Sequence, residues 1–219
     1  MTSPSDAPVR ATGTRTRSGN AMLRTRTAIL DATAQCIERE GVRRTTMSDV
    51  SAQARIAKAT LYNHFRTKDD LMAALVLART EQLAAECAEL AVAGLAPALE
   101  YAGRSLSAAA PLRRIASDEP ALAATLATPS AGRAWTAARR GVETVLRESG
   151  APSDDGSVDL VLRWLCSQVL RAAGDAEVTS GARVLAEGLG RAPVAVTLPA
   201  DTPAYADVRP APPGLGWPT

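Results

Sequence analysis

Residues 26–76, RTAILDATAQCIEREGVRRTTMSDVSAQARIAKATLYNHFRTKDDLMAALV, carry the pattern that decides the fold. Ile29, Leu30, Thr33, Cys36 and Ile37 fall on one stripe of a helix, and Gly41 stops it. Thr46, with Asp49 three residues later, reads as an N-cap with a carboxylate in the first helical turn. Met47, Val50 and Ala54 form the apolar side of the short helix that follows, and Leu61 and Phe65 that of a third segment from Lys58 to Phe65. Thr67, followed by Asp69 and Asp70, caps a long fourth helix. Its apolar residues run through Leu71, Met72, Leu75, Val76, Leu83, Cys87 and Leu90 to about Gly94. Helix, short helix, tight turn, short helix is the order of a helix-turn-helix inside a three-helix unit.

The charge distribution fits that unit. Residues 1–68 hold 12 Arg/Lys against 5 Asp/Glu, whereas residues 69–219 hold 13 against 18. The formal net charge of +2 therefore conceals a segment of +7 and a remainder of −5. The only lysines, Lys58 and Lys68, lie in the basic part. A basic N-terminal third points to a polyanionic partner and leaves a different task for the rest.

Composition sets the fold class. The chain is 46% apolar but 3% aromatic, with about 45 alanines and a single phenylalanine, Phe65. A core of Ala, Leu and Val favours helices over sheets, and no window alternates with a period of two for more than a few residues. Pro97, Pro111 and Pro120 suit the first turns of further helices. Others are expected from about Ser130 to Glu148, Asp155 to Ala173 and Val178 to Leu189, so an all-α architecture is predicted.

Several functional classes drop out. The longest apolar run, Leu71–Ala78, is 8 residues, short of the ~20 a membrane span needs, so no membrane partner is expected. The first 27 residues carry arginines without an apolar stretch, unlike a signal peptide. Cys36, Cys87 and Cys166 are too widely spaced for a disulfide framework, which suggests core packing and a reducing, cytoplasmic setting. A lone histidine, His64, excludes His-rich zinc sites. No nucleophile–base pair, Gly-rich phosphate loop or metal-spaced cluster occurs, so neither an enzyme nor a cofactor nor a metal site is expected.

Side-chain chemistry then marks the recognition segment. A helix in the major groove needs small or hydrogen-bonding groups facing base edges. Lys58, Ala59, Thr60, Tyr62, Asn63 and His64 meet that requirement. Asn63 can pair with adenine, Lys58 with guanine, and Ala59 can meet a thymine methyl. His64 has a second reading, as a helix-surface residue packed beside Tyr62. Thr46 stands where a helix N-terminus can offer its N–H and hydroxyl to a phosphate. Arg43 and Arg44 flank this surface, and Arg10, Arg15, Arg17 and Arg24 can follow the minor groove.

Residues 26–76 resemble the TetR (tetracycline-repressor-like) family of transcriptional regulators, through Ile29-Leu-Asp-Ala-Thr, Glu40-Gly41, Thr45-Thr46-Met47, Lys58-Ala-Thr-Leu-Tyr-Asn-His-Phe65 and Thr67-Lys68. The resemblance implies Thr60, Tyr62 and Lys68 as DNA-backbone contacts and Lys58, Ala59 and Asn63 as base readers. The chain departs from the family pattern at three places. Arg55 replaces a usual glycine in the turn, which implies either strain or a slightly different turn geometry. Ala57 replaces a common capping serine, and Ile37 a common phenylalanine.

Composition marks a disordered basic arm at 1–22 and a Pro-rich disordered tail at 192–219, and the resemblance implies a helix-turn-helix domain at 23–66 and a helical ligand-binding and dimerisation domain at 67–191. That tail holds 7 of the 14 prolines. Tyr101, Arg104, Trp135, Arg139 and Trp164 are the candidates to line a pocket for a small-molecule effector. Val158, Val161, Leu162, Leu165 and Val169, with Ala182, Leu185 and Leu189, are the candidates for a homodimer interface. Leu160 and Trp164 lie off the first stripe, so the Asp155–Ala173 helix is apolar nearly all round, the mark of burial on two sides. The expectation is a regulator, a repressor that leaves a palindromic double-stranded DNA operator when the effector binds. The alternative is a helical DNA-binding scaffold with neither effector nor sequence choice.

Overall fold

Leu71 and Leu75 near the start of one helix, and Cys87 and Ala91 near its end, belong to two separate apolar cores. That helix is α4 (Lys68–Ala91), one of ten helices in a computed structural model that describes residues 13–190, with side chains from residue 20 onward. Before it come α1 (Gly13–Glu40), α2 (Met47–Gln53) and α3 (Lys58–His64). After it come α5 (Leu95–Ala108), α6 (Ala110–Asp118), α7 (Pro120–Leu126), α8 (Arg133–Glu148), α9 (Asp155–Leu170) and α10 (Asp175–Gly190). Among the described residues there is no strand. The expected arm up to residue 12, the side chains of Arg15 and Arg17, and the tail 192–219 lie outside the described residues.

The first core joins Ile29, Ile37, Val50, Leu61 and Phe65 to Leu71, and Ile115 of α6 and Ala123 of α7 close it from above. Truncating a fully buried member such as Leu61 to alanine costs about 2–5 kcal/mol. The second core packs the far half of α4 with α5, α8, α9 and α10. Helices α4 and α8 come close because Gly141 faces Ala84, where a Cβ would stand 2.6 Å from the Ala84 Cβ. The 24 residues of α4 span about 36 Å at 1.5 Å per residue, enough to be a rigid member of both cores.

Helix α1 starts ten residues earlier than the arm boundary at 22 anticipates. Met22 and Leu23 are 64% and 63% exposed, so this stretch has no core to announce it. Apolar periodicity marks where a helix packs rather than where it begins. The exposed portion is held by its own ladder, supplemented by Thr25 and Thr27 hydroxyls donating to the Ala21 and Leu23 carbonyls at 3.0 and 3.1 Å.

The turn after α2 is a Schellman motif. Arg55 N–H donates to Ala52 O at 3.1 Å and Ile56 N–H to Ser51 O at 3.0 Å. This closure puts the intervening residue in the left-handed region, and Arg55 sits there at φ 54°. Of the two readings of the turn, the strained one holds. Helix α8 ends in the same way, with Gly150 at φ 74° in the equivalent place.

The stripe assigned to a dimer interface is corrected by burial. Val158, Val161, Leu162 and Ala182 are 1%, 1%, 4% and 0% exposed within the single chain, so they pack against their own fold and cannot face a partner. Leu165, Leu185 and Leu189 are half-buried against the same core, and Val169 is half-buried. A stripe that is apolar enough to meet a partner is equally able to meet α5 and α8, and here it does. The outward apolar residues of these helices are Leu160, Leu170 and Val184.

Candidate nucleic-acid interface

Helix α3 is seven residues long and two-sided. Leu61 and Phe65 are buried in the first core, while Lys58, Ala59, Tyr62 and Asn63 are exposed. Positions 59, 62 and 63 share one face at helical spacing, so the side opposite the core presents a methyl, a phenol and a carboxamide, with an ammonium at its N-terminal end. Thr60 and His64 lie half-buried at its margins. The His64 ring stands 6.3 Å from the Phe65 ring, tilted by 37°. Its aromatic neighbour is thus Phe65, whereas the surface reading placed it beside Tyr62.

The supporting contacts explain why this short helix stands. Arg26 lies 4.4 Å from the centre of the Phe65 ring, a cation–π contact between α1 and the end of α3. Ala57 is extended at the N-cap and makes no side-chain cap bond, as its side chain dictates. Arg43, Arg44 and Arg66 are exposed beside the helix-turn-helix.

Two of the residues expected at DNA phosphates also make contacts within the fold. The Thr46 hydroxyl and backbone N–H both donate to Asp49 Oδ2, at 2.6 and 2.9 Å, and Asp49 N–H donates back to the hydroxyl at 3.2 Å. This capping box satisfies the start of α2 and leaves a carboxylate where a phosphate was expected. The Thr46 hydroxyl, then its backbone N–H, holds the Asp49 carboxyl below its ordinary pKa. Lys68 Nζ donates to Val42 O at 2.5 Å and to Arg43 O at 3.5 Å, tying the start of α4 to the loop after α1. Its charge stabilises carbonyl groups at that helix end.

Arg43 adds a connection that no local pattern announces. Its backbone N–H donates to Glu119 Oε1 at 3.0 Å, across a separation of 76 residues. Glu119 stands at the α6–α7 junction, so the helix-turn-helix unit touches the second half of the chain through α6 as well as α4. Glu40, Gly41, Arg44, Arg114 and Asp118 complete a polar cavity of about 140 Å³ at this junction.

The candidate pocket residues do not converge. Tyr101 is exposed, and its hydroxyl donates to Glu86 Oε2 at 2.8 Å between α5 and α4. Arg104 pairs with Glu100 at 3.2 Å and donates to Thr179 Oγ1 at 2.8 Å. Arg139 is taken up by Asp155, Asp159 and Glu143 at 2.5, 2.8 and 3.4 Å, which clamps α8 to α9. Trp135 is half-buried against the second core. Trp164 packs against the same core, between α5 and α10. Aromatic and cationic residues were the sequence signal for a pocket, but here they pair with acids or fill helix crossings.

A helix-turn-helix whose third helix exposes small and hydrogen-bonding side chains amid arginines has the geometry that the DNA-binding members of this class of fold present. Residues 29–75, the helix-turn-helix unit and the start of α4, match the model of the bacterial regulatory proteins of the tetR family. Beyond it, the fold is similar to the TetR family repressor AlkX from Dietzia sp. strain DQ12-45-1b, implicated in biodegradation of n-alkanes. That similarity has a TM-score of 0.59 and 24% identity over 74% of this chain and 96% of that one. The fatty acid degradation regulator FadR from Bacillus halodurans matches with a TM-score of 0.58 and 16% identity over 77% and 97%. A putative TetR-family regulator from Mesorhizobium loti matches with a TM-score of 0.52 and 18% identity over 77% and 96%. No curated protein sequence matches the chain.

Proposed function

We propose that this protein is a homodimeric repressor that reads a palindromic operator with two copies of α3 and leaves it when a small molecule binds among α4–α10. The observation that carries the reading is the exposed face of α3, with Lys58, Ala59, Tyr62 and Asn63 opposite buried Leu61 and Phe65. Two such helices about 34–36 Å apart meet successive major grooves on one side of B-DNA. Leu160, Leu170 and Val184 supply an outward apolar surface on α9 and α10 for the second copy. Effector release requires that the ligand bind two dimer states with different affinity. The shared helix α4 and the Arg43–Glu119 bond are two mechanical links by which such a difference reaches α3. A cytoplasmic site of action accords with three thiols that form no disulfide.

The test is a gel shift with DNA from upstream of the protein's own gene against random DNA. Asn63→Ala and Lys58→Ala each lower specific affinity by about 1–3 kcal/mol and leave random-sequence binding nearly unchanged. Equal affinity for both DNAs, unaffected by Asn63→Ala, would instead support a DNA-binding scaffold without sequence choice.

A further inference from the structure

Trp164 of α9 has unusual walls. A Cβ on Gly103 of α5 would stand 2.8 Å from its Cη2, and a Cβ on Gly181 of α10 would stand 2.7 Å from its Nε1 and 3.3 Å from its Cε2. The indole thus lies in a slot bounded on two sides by bare helix backbone, a space shaped for a flat ring and closed to any side chain on those walls. Gly103 and Gly181 both sit inside helices, where glycine is a poor helix former, so the slot costs stability that ordinary side-chain packing would not. Trp164 is only half-buried.

A buried polar pair lies one helical turn along from the slot: Ser107 beyond Gly103 and Gln168 beyond Trp164, with the Ser107 hydroxyl donating to Gln168 Oε1 at 3.2 Å. Ala173 N–H donates to the same hydroxyl at 3.2 Å. Among the described residues, Trp164 itself joins the side-chain hydrogen bonding only through its carbonyl, which accepts from Ser167 Oγ and Gln168 Nε2. A buried polar pair beside a flat apolar slot is the combination that orients a small aromatic ligand.

We propose that this slot is the effector site, with Trp164 as its resident plug. The ligand is a flat aromatic molecule of about indole size with one hydrogen-bonding edge, which displaces the Trp164 ring and meets Ser107 and Gln168. This deepens the effector half of the function proposed above and rests on it. Displacement moves α9 relative to α5, and α5 packs on α4, so the slot lies one helix from the member that carries the DNA-binding unit.

The experiment labels the full chain with 5-fluorotryptophan and follows its three tryptophans, Trp135, Trp164 and Trp217, by fluorine NMR during titration with free indole. Trp164→Phe assigns the resonance. Indole is expected to shift the Trp164 signal toward that of the free amino acid while Trp135 stays in place. Trp164→Ala removes the plug and is expected to bind indole at least tenfold more tightly, and Gly181→Ala in that background to weaken binding as strongly. Where Trp164→Ala does not fold, Trp164→Phe leaves a smaller plug and is expected to bind severalfold more tightly than the parent. Indole binding to a plug variant with an unmoved Trp164 signal in the parent overturns the proposal, as does a folded Trp164→Ala that binds no indole. DNA affinity is read separately by gel shift: binding with displacement but no DNA release refutes the coupling and leaves the slot standing.

Discussion

Arg55→Gly should stabilise the protein, and the structure says by how much. The two hydrogen bonds that close α2, Arg55 N–H to Ala52 O and Ile56 N–H to Ser51 O, hold Arg55 at φ 54°. For an L-residue with a Cβ that conformation costs about 1–2 kcal/mol. Glycine removes the cost but gives the unfolded chain about 0.4–1 kcal/mol of extra entropy. The net gain is roughly 0.5–1 kcal/mol, or about 1–4 °C in Tm for a chain of this size. Arg55→Ala is the control, since it removes the guanidinium and keeps the strain. Gly150→Ala is the mirror experiment: Gly150 holds the same place after α8 at φ 74°, with nothing within 4 Å of an added Cβ, so the loss is one of backbone alone. Thermal unfolding by circular dichroism reads all three variants. If Arg55→Gly is no more stable than Arg55→Ala, the left-handed turn is not a source of strain and the reasoning fails.

Three further outcomes follow from the same local physics. Ala57→Ser supplies the missing cap of α3 and should add about 1 kcal/mol in chemical denaturation; an unchanged midpoint would mean that the start of α3 gains nothing from a cap. Because the Thr46 hydroxyl holds the Asp49 carboxyl low, the stabilisation it brings is complete above its ordinary pKa and fades as pH falls through the lower folded value. Asp49→Asn should flatten that part of the acid-unfolding curve, and an identical curve would show the capping box to be idle. Burial, with Glu86 adding to it, pushes the Cys87 thiol up to about 12. Cys87 should therefore resist disulfide reagents near neutral pH until the chain unfolds, and rapid labelling of the folded protein would reveal local opening around α4.

The helix-turn-helix was legible because every signal in it is local. Thr46 with Asp49, Thr67 with Asp70, Gly41 after α1 and the Leu61–Phe65 pair each act within one helical turn, and all reappear at those positions. The departure at Arg55 was legible only through the family resemblance, which implies a glycine in that turn, and the positive φ observed there gives the reason. The roles of Thr46 and Lys68 were harder to assign. Their polar groups can serve a phosphate or the fold itself, and only the structure shows that they reach Asp49 and Val42. The second half lacks such local signals. Its aromatic and arginine residues suggested a pocket, yet Arg139 pairs with three carboxylates and Trp164 fills a crossing walled by glycine.

By itself, the sequence determined an all-α chain, a basic helix-turn-helix unit near its start and the residues of its third helix that face outward. Those properties depend on spacing within a few residues, on charge and on caps, all of which are written in order along the chain. Tertiary structure alone decided which apolar stripe is core and which is surface. Val158, Val161, Leu162 and Ala182 are buried in their own fold, while Leu160, Leu170 and Val184 face out. It also decided that Arg43 reaches Glu119 and that Gly103 and Gly181 meet at one indole. A stripe records that a helix must pack, but the partner is chosen by how all ten helices fill space together.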